Sequence, residues 1–155
     1  MADLLTELAN RGISLPEMPK PVASYIPAVA VHSGSLVFVS GQLPFQNGKL
    51  MATGLVPSEV SLEQAQECAA QCALNGLAAL QQEIGDLGRV RRVVRLGGFV
   101  ACPPDFGDQP KVINGASELL AELMHDSGRH ARAAVGVSAL PLNAPVEIEF
   151  LFLVD

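Results

Sequence analysis

Apolar and polar positions alternate along the last quarter of the chain, from His130 to Asp155. Two apolar runs flank a turn that contains Pro and Asn, and this pattern predicts two β-strands. Arg132 interrupts the first run, and Glu147 and Glu149 interrupt the second. Because charge in a buried strand is costly unless it is paired or used, Arg132 and Glu147 are the first candidates for chemistry.

Upstream, the pattern predicts a hairpin followed by a long helix. Residues 25–31 and 36–40 are apolar runs joined by His32-Ser-Gly-Ser35, and residues 46–49 have the composition of a further turn. Apolar side chains then recur at helical spacing up to residue 84. Ser61 and Gln64 form a capping box at the start of this helix, and Gly85 ends it.

Residues 90–101 are rich in β-branched side chains and predict a central strand. Asp108 and Pro110 begin a second helix, which Gly128 ends. The predicted order is therefore β-β-α-β-α-β-β, and two helices can cover only one face of the sheet. The predicted fold class is α+β, with both helices on one face of a mixed sheet.

Alternation along the last two strands predicts what each sheet face carries. The bulky apolar residues of both strands are predicted to lie on the sheet face that packs against the helices. The helix-free face is assigned the small residues and charges, namely Arg132, Ala134, Gly136, Glu147 and Glu149. Because small residues allow another chain to approach closely, we expect a closed cyclic oligomer with the helix-free faces inward.

Composition supports one domain with a subunit interface. The 155 residues are 49% hydrophobic and 17% charged, and with no Trp and one Tyr the apolar excess is mostly Ala, Val and Leu. A surplus of small aliphatic residues often lies in an interface. Residues 1–23 predict a short helix ending at Gly12 and a Pro-rich arm, and residues 24–155 form the domain.

Several function classes are disfavoured. The three cysteines and three histidines share no metal-ligand spacing, so core thiols are expected and no metal is predicted. A net charge of −6 and a pI near 5.0 argue against a dedicated nucleic-acid binder. Four arginines in and beside the predicted central strand could suggest RNA binding, but no aromatic residue lies among them on which a base could stack: Arg89, Arg91, Arg92 and Arg95. No apolar stretch reaches the roughly 20 residues that span a bilayer, and a cytoplasmic location is expected.

Short motifs occur along the chain in a fixed order: Val39-Ser-Gly-Gln-Leu-Pro44, Asn114 in the second helix, Ala131-Arg132, and Leu140-Pro-Leu-Asn-Ala-Pro-Val-Glu-Ile-Glu149. This ordered set resembles the RidA (YjgF-like) family, also called endoribonuclease L-PSP or translation inhibitor. The resemblance covers nearly everything from Tyr25 to Asp155. The added N-terminal helix and arm are similar to a longer bacterial subgroup.

The resemblance implies a chorismate-mutase-like fold and a homotrimer with sites in the clefts between subunits. It also implies hydrolysis of reactive 2-imino or 2-enamine acids to 2-keto acids and ammonia, without a cofactor. The positions that match the family's site are Arg132, Glu147, Gly41, Ser40, Asn114 and Tyr25. Ala134 stands where the founding type has a cysteine, which leaves the substrate preference open.

The chemistry of the residues fits this reaction. Arg132 can hold a substrate carboxylate through two parallel N–H bonds, and Glu147, expected on a neighbouring strand, can position and activate water. Glu149, by contrast, is assigned a structural or interface role. Three alternatives stay open: a structural ion pair between Arg132 and Glu147 at a subunit interface, a non-catalytic binder of 2-keto acids or other small carboxylates, and, more weakly, a ribonuclease or translation inhibitor.

Overall fold

The computed structural model describes residues 33–155. Outside this range lie the predicted N-terminal helix and arm, the predicted strand at residues 25–31, and Tyr25. The regular elements are β1 (Ser35–Gln42), β2 (Phe45–Gln46), β3 (Lys49–Leu50), α1 (Leu62–Ile84), β4 (Val90–Ala101), α2 (Gln109–Met124), β5 (Ala131–Val137) and β6 (Val146–Val154). Short 3-10 turns lie at Leu87–Arg89, His125–Gly128 and Pro141–Asn143.

Among residues 33–155, four strands form one mixed sheet in the order β1-β6-β4-β5. Strands β4 and β5 are parallel, whereas the other two pairs are antiparallel. The prediction of two helices on a mixed sheet is confirmed. The last two strands are not neighbours, however, because β4 lies between them. The expectation that Glu147 lies on a strand next to that of Arg132 is therefore wrong.

Local signals set the bounds of both helices. Ser61 and Gln64 form the predicted capping box of α1, and Gly85 caps its end. Asp108 precedes α2, but this helix ends at Met124 rather than at Gly128. A Cβ at Gly128 would lie 2.0 Å from the Leu120 carbonyl oxygen, so close packing against α2 requires this glycine.

The core lies between the helices and one sheet face, and β6 contributes most to it. Its alternate residues Val146, Ile148, Phe150 and Phe152 are buried, as the pattern predicts. Helices α1 and α2 also pack tightly on each other. A Cβ at Gly115 of α2 would lie 2.1 Å from the Gln66 carbonyl oxygen of α1.

The prediction for the two faces of β5 is wrong. Arg132 is paired with Leu96, which is buried beneath the helices. The residues of β5 that face α2 are Arg132, Ala134 and Gly136. The reason is the close approach of α2, since a Cβ at Gly136 would lie 2.8 Å from Gln109 Nε2. The bulkier Val135 faces away from the helices and is 44% exposed.

The helix-free face is predominantly apolar. Phe38 is 78% exposed and Leu36 is 47% exposed on β1. Arg95 and Glu149 form an ion pair on this face, with 2.9 Å between Nη1 and Oε1. Because Arg95 and Glu149 are each about half exposed, this pair adds little to stability.

Candidate active site

Arg132 lies near the start of β5, where its half-buried side chain reaches α2. Its Nη1 donates a hydrogen bond of 2.9 Å to Ser117 Oγ. Its Nη2 donates to Asn114 Oδ1 at 2.9 Å and to the Pro110 carbonyl at 3.1 Å. Bonds at both terminal nitrogens hold the guanidinium group in one orientation against α2.

Three groups that accept hydrogen bonds from Arg132 form one stripe on α2. Asn114 follows Pro110 by four residues and Ser117 follows Asn114 by three, so their side chains share a helix face. The structure therefore brings together the predicted site residues Arg132 and Asn114. Sequence reasoning missed Ser117, although its spacing from Asn114 could have indicated it.

His130 extends this cluster into the interior. It is 1% exposed, its Nε2 lies 3.0 Å from Ser117 Oγ, and its Nδ1 lies 2.6 Å from the Gly128 carbonyl oxygen. Burial is the main cause that lowers the pKa of His130, and the positive charge of Arg132 lowers it further. The hydrogen bond to Gly128 opposes this shift. Sequence reasoning assigned His130 no role.

Glu147 lies at a second position, beside Gly41. A Cβ at Gly41 would be 1.9 Å from Glu147 Oε1, so the carboxylate occupies space that only glycine leaves open. The pairing of β1 with β6 is irregular between Val39 and Gln42, and Ser40 lies exposed within this stretch. The structure thus brings Gly41 and Glu147 together, with Ser40 directly before Gly41 in β1.

The two groups of residues are separate in one chain. Arg132 is paired with Leu96 of β4, and Glu147 is paired with Phe99 of the same strand. Two strand spacings and three residues of offset place the Cα atoms of Arg132 and Glu147 about 14 Å apart. Glu147 projects on the helix-free face, whereas Arg132 projects towards α2. Arg132 and Glu147 of one chain are therefore too far apart for a direct ion pair, and a pair between two subunits stays a prediction.

The remaining predicted residues occupy defined places. Ala134 lies two residues after Arg132 on the side of β5 that faces α2, where it packs against the core. Glu149 lies over Gly97 and pairs with Arg95. Cys68, Cys72 and Cys102 are free and buried, as expected for core thiols.

The arginines around β4 are engaged within the chain. Arg91 pairs with the Asp155 carboxylate, and Arg89 donates to the Ile84 and Asp155 carbonyls. Arg92 donates to main-chain carbonyls beyond α2. Among residues 33–155, no three or more His, Cys, Asp or Glu side chains are grouped as metal ligands require. Neither of the described helices has the length and apolarity needed to cross a bilayer.

Comparison with known proteins identifies the family. The family described as "YjgF/chorismate_mutase-like, putative endoribonuclease" matches residues 6–153. "Protein TCP17" of Trypanosoma cruzi is 41% identical over 93% of this chain and 89% of its own. A "2-iminobutanoate/2-iminopropanoate deaminase" of Dermatophagoides farinae is 31% identical over 94% of this chain and 98% of its own.

Solved structures agree with this match. Atu1372 of Agrobacterium tumefaciens, described as a protein with unknown function, superposes with a TM-score of 0.77. It is 46% identical, and the superposition covers 97% of this chain and 90% of that one. With its two helices on one face of a mixed sheet, the chain belongs to the YjgF/chorismate_mutase-like family.

Proposed function

We propose that the protein is a cofactor-independent hydrolase that converts 2-imino or 2-enamine acids to 2-keto acids and ammonia. The observation that carries the proposal is the orientation of Arg132, whose guanidinium plane is held at both terminal nitrogens by α2. The relative named as a 2-iminobutanoate/2-iminopropanoate deaminase supports the same reaction.

The site that we propose lies between two subunits of a homotrimer. Because one chain keeps Arg132 and Glu147 on opposite sides of its sheet, a cleft containing both must combine two copies. The exposed apolar side chains of Leu36, Phe38 and Val135 on the helix-free face support an assembly that buries this face. Each cleft then takes Arg132 and Asn114 from one subunit, and Ser40, Gly41 and Glu147 from its neighbour.

In this cleft, Arg132 binds the substrate carboxylate through charge-assisted N–H bonds and places C2 of the protonated imine near Glu147. Glu147 accepts a proton from a water molecule as its oxygen attacks C2, and a neutral tetrahedral carbinolamine forms. Glu147 returns this proton to the nitrogen and then accepts the hydroxyl proton of the carbinolamine as the C–N bond breaks, so that ammonia leaves and C2 becomes a carbonyl. The proton left on Glu147 passes to the ammonia, which departs as ammonium. Gly41 leaves the space that the Glu147 carboxylate occupies.

A coupled assay tests this proposal. A pyridoxal-phosphate dehydratase generates the imine, and its decay is followed in wild type, Arg132→Ala, Arg132→Lys and Glu147→Gln. We expect Arg132→Ala and Arg132→Lys to raise KM, because lysine lacks the planar fork. We expect Glu147→Gln to lower kcat roughly 100-fold or more. Full turnover by Arg132→Ala would exclude the proposed role of Arg132.

A non-catalytic binder of 2-keto acids is the second candidate. Ala134 favours this candidate, because it stands where the founding type of the resembled family has a cysteine and therefore lacks any thiol that turnover would use. Such a protein would use Arg132 without needing Glu147. Equal pyruvate binding by wild type and Glu147→Gln, with no imine turnover in either, would identify the binder.

A further inference from the structure

We propose that Ser117 and His130 form a positioning relay that sets the orientation of Arg132 for carboxylate binding. This inference rests on the proposed function of Arg132. The relay runs from the Gly128 carbonyl through the His130 ring and the Ser117 hydroxyl to Arg132 Nη1. Ser117 and His130 are positioning residues, because they act on the substrate only through the guanidinium group.

The hydrogen-bond donors and acceptors of the relay follow in turn from the Gly128 carbonyl at its inner end. A carbonyl oxygen only accepts, so His130 Nδ1 carries the hydrogen that bonds to Gly128. In the neutral ring, Nε2 is then an acceptor, and the Ser117 hydroxyl donates a hydrogen bond to it. The oxygen of Ser117 therefore presents a lone pair to Arg132 Nη1, which can only donate.

His130 prevents the Ser117 hydroxyl from bonding elsewhere. A serine inside a helix commonly donates its hydroxyl to the carbonyl four residues earlier, which here is that of Ile113. The hydrogen bond to His130 Nε2 directs the hydroxyl towards β5 instead. Ser117 and His130 are each 1% exposed, so water does not compete for these bonds.

The relay matters because it restrains a second nitrogen of the guanidinium group. Asn114 and Pro110 both accept hydrogen bonds from Nη2. The bond from Nη1 to Ser117 adds a restraint at the other terminal nitrogen. A ring kept neutral by burial also adds no second positive charge beside the guanidinium.

The test compares the relay variants Ser117→Ala, Ser117→Cys and His130→Phe with Ser117→Thr, which keeps the hydroxyl. Cys68→Ala is the matched control, because it shortens a buried side chain of α1 that is not a member of the relay. Three quantities are measured: KM and kcat for the imine, the Kd for pyruvate, and the exchange rate of the Arg132 Nε–H group by NMR. Ser117→Cys nearly preserves the volume with only a weak hydrogen-bonding group, in case Ser117→Ala does not fold.

We expect Ser117→Ala, Ser117→Cys and His130→Phe to raise KM and the pyruvate Kd roughly tenfold, with kcat changed less than about twofold. Ser117→Thr should restore wild-type KM. Unchanged KM in the relay variants, together with a raised KM in Arg132→Ala, would overturn the relay and leave the proposed function standing.

The NMR measurement separates the relay from the proposed function. If Arg132→Ala keeps wild-type KM and pyruvate Kd, the proposed function fails. In that case, faster exchange of the Arg132 Nε–H group in Ser117→Ala, but not in Cys68→Ala, would still support the ordering of Arg132 by Ser117. Equal exchange in both variants would overturn it.

Discussion

Arg132 and Glu147 project from opposite faces of one sheet, and strand β4 runs between the strands that carry them. Each residue has its own support within the chain. Asn114 and Ser117 hold the arginine, while Gly41 leaves space for the carboxylate. In the proposed shared cleft, each copy of the chain therefore supplies two half-sites, and the arrangement of the copies decides whether the half-sites meet.

Subunits with complementary defects should restore activity when mixed. Arg132→Ala and Glu147→Gln subunits are each expected to be inactive, because every cleft of either assembly lacks one half-site. After joint unfolding and refolding in equal amounts, about a quarter of the clefts in a cyclic assembly should pair an intact Arg132 with an intact Glu147. The measurement is kcat per cleft in the imine assay.

The control for mixing is the double variant carrying both changes, refolded with Arg132→Ala subunits. No cleft of this mixture contains an intact Arg132, so it should stay inactive. Recovery of activity in the control, or none in the complementary mixture, would contradict a shared cleft.

Gly41→Ala should impair turnover while leaving the fold intact. The added Cβ would lie 1.9 Å from Glu147 Oε1, and the flexible end of the glutamate side chain can move away. The displaced carboxylate should lower kcat by about tenfold or more. Gly107→Ala is the matched control, since a Cβ there meets no atom within 4 Å. Wild-type kcat in Gly41→Ala would show that the position of the carboxylate is unimportant.

Stability should fall as the pH drops below 6.5, in part because of His130. Burial, aided by the charge of Arg132, lowers the pKa of this ring from its ordinary value of 6.5, so the folded chain resists protonation that the unfolded chain accepts. The unfolded chain then binds more protons, and the free energy of unfolding decreases from pH 6.5 down through the folded pKa.

Urea unfolding between about pH 5 and pH 8 measures this dependence. His130→Phe should be less stable at every pH, but its stability should vary less with pH than that of the wild type. Identical pH dependence in the two proteins would rule out the buried ring as the cause.

The thiols should be inert in the folded protein. Burial, with a contribution from Glu67, raises the pKa of Cys68 to about 11, and burial also raises the pKa of Cys72. Cys102 is only 7% exposed. A thiol reagent such as dithiobis-nitrobenzoate should react at pH 8 only after unfolding in urea. Rapid modification of one thiol in the native protein would indicate local opening around that residue.

The sequence predicted those parts of the fold that depend on local signals. The capping box at Ser61 and the glycine at Gly85 delimit α1 because both act on the nearest turn of helix. The strand predicted at residues 90–101 is confirmed as β4. Strand order was not predictable in this way, because the pairing of β4 with β6 depends on contacts far apart in sequence.

The site was predicted less completely, for a physical reason. Residue size suggested that Val135 and Val137 face the core and that Arg132 faces away. Helix α2 instead packs so closely on β5 that small residues such as Gly136 are needed beneath it. The resemblance to the family identified Arg132 and Asn114, whereas Ser117 and His130 became visible only through their contacts.

The contact between Gly115 and Gln66 has a consequence for how the protein could change. It fixes the distance between the two helices, and Gln66 also donates a side-chain hydrogen bond to the Lys111 carbonyl of α2. Since α2 carries Asn114 and Ser117, which hold Arg132, the spacing between the two helices determines where the guanidinium lies over the sheet. A larger residue at position 115 would displace α2, and Arg132 with it, without changing any residue of the proposed site. For the proposed function, the helix spacing is therefore a determinant of substrate preference that lies outside the cleft.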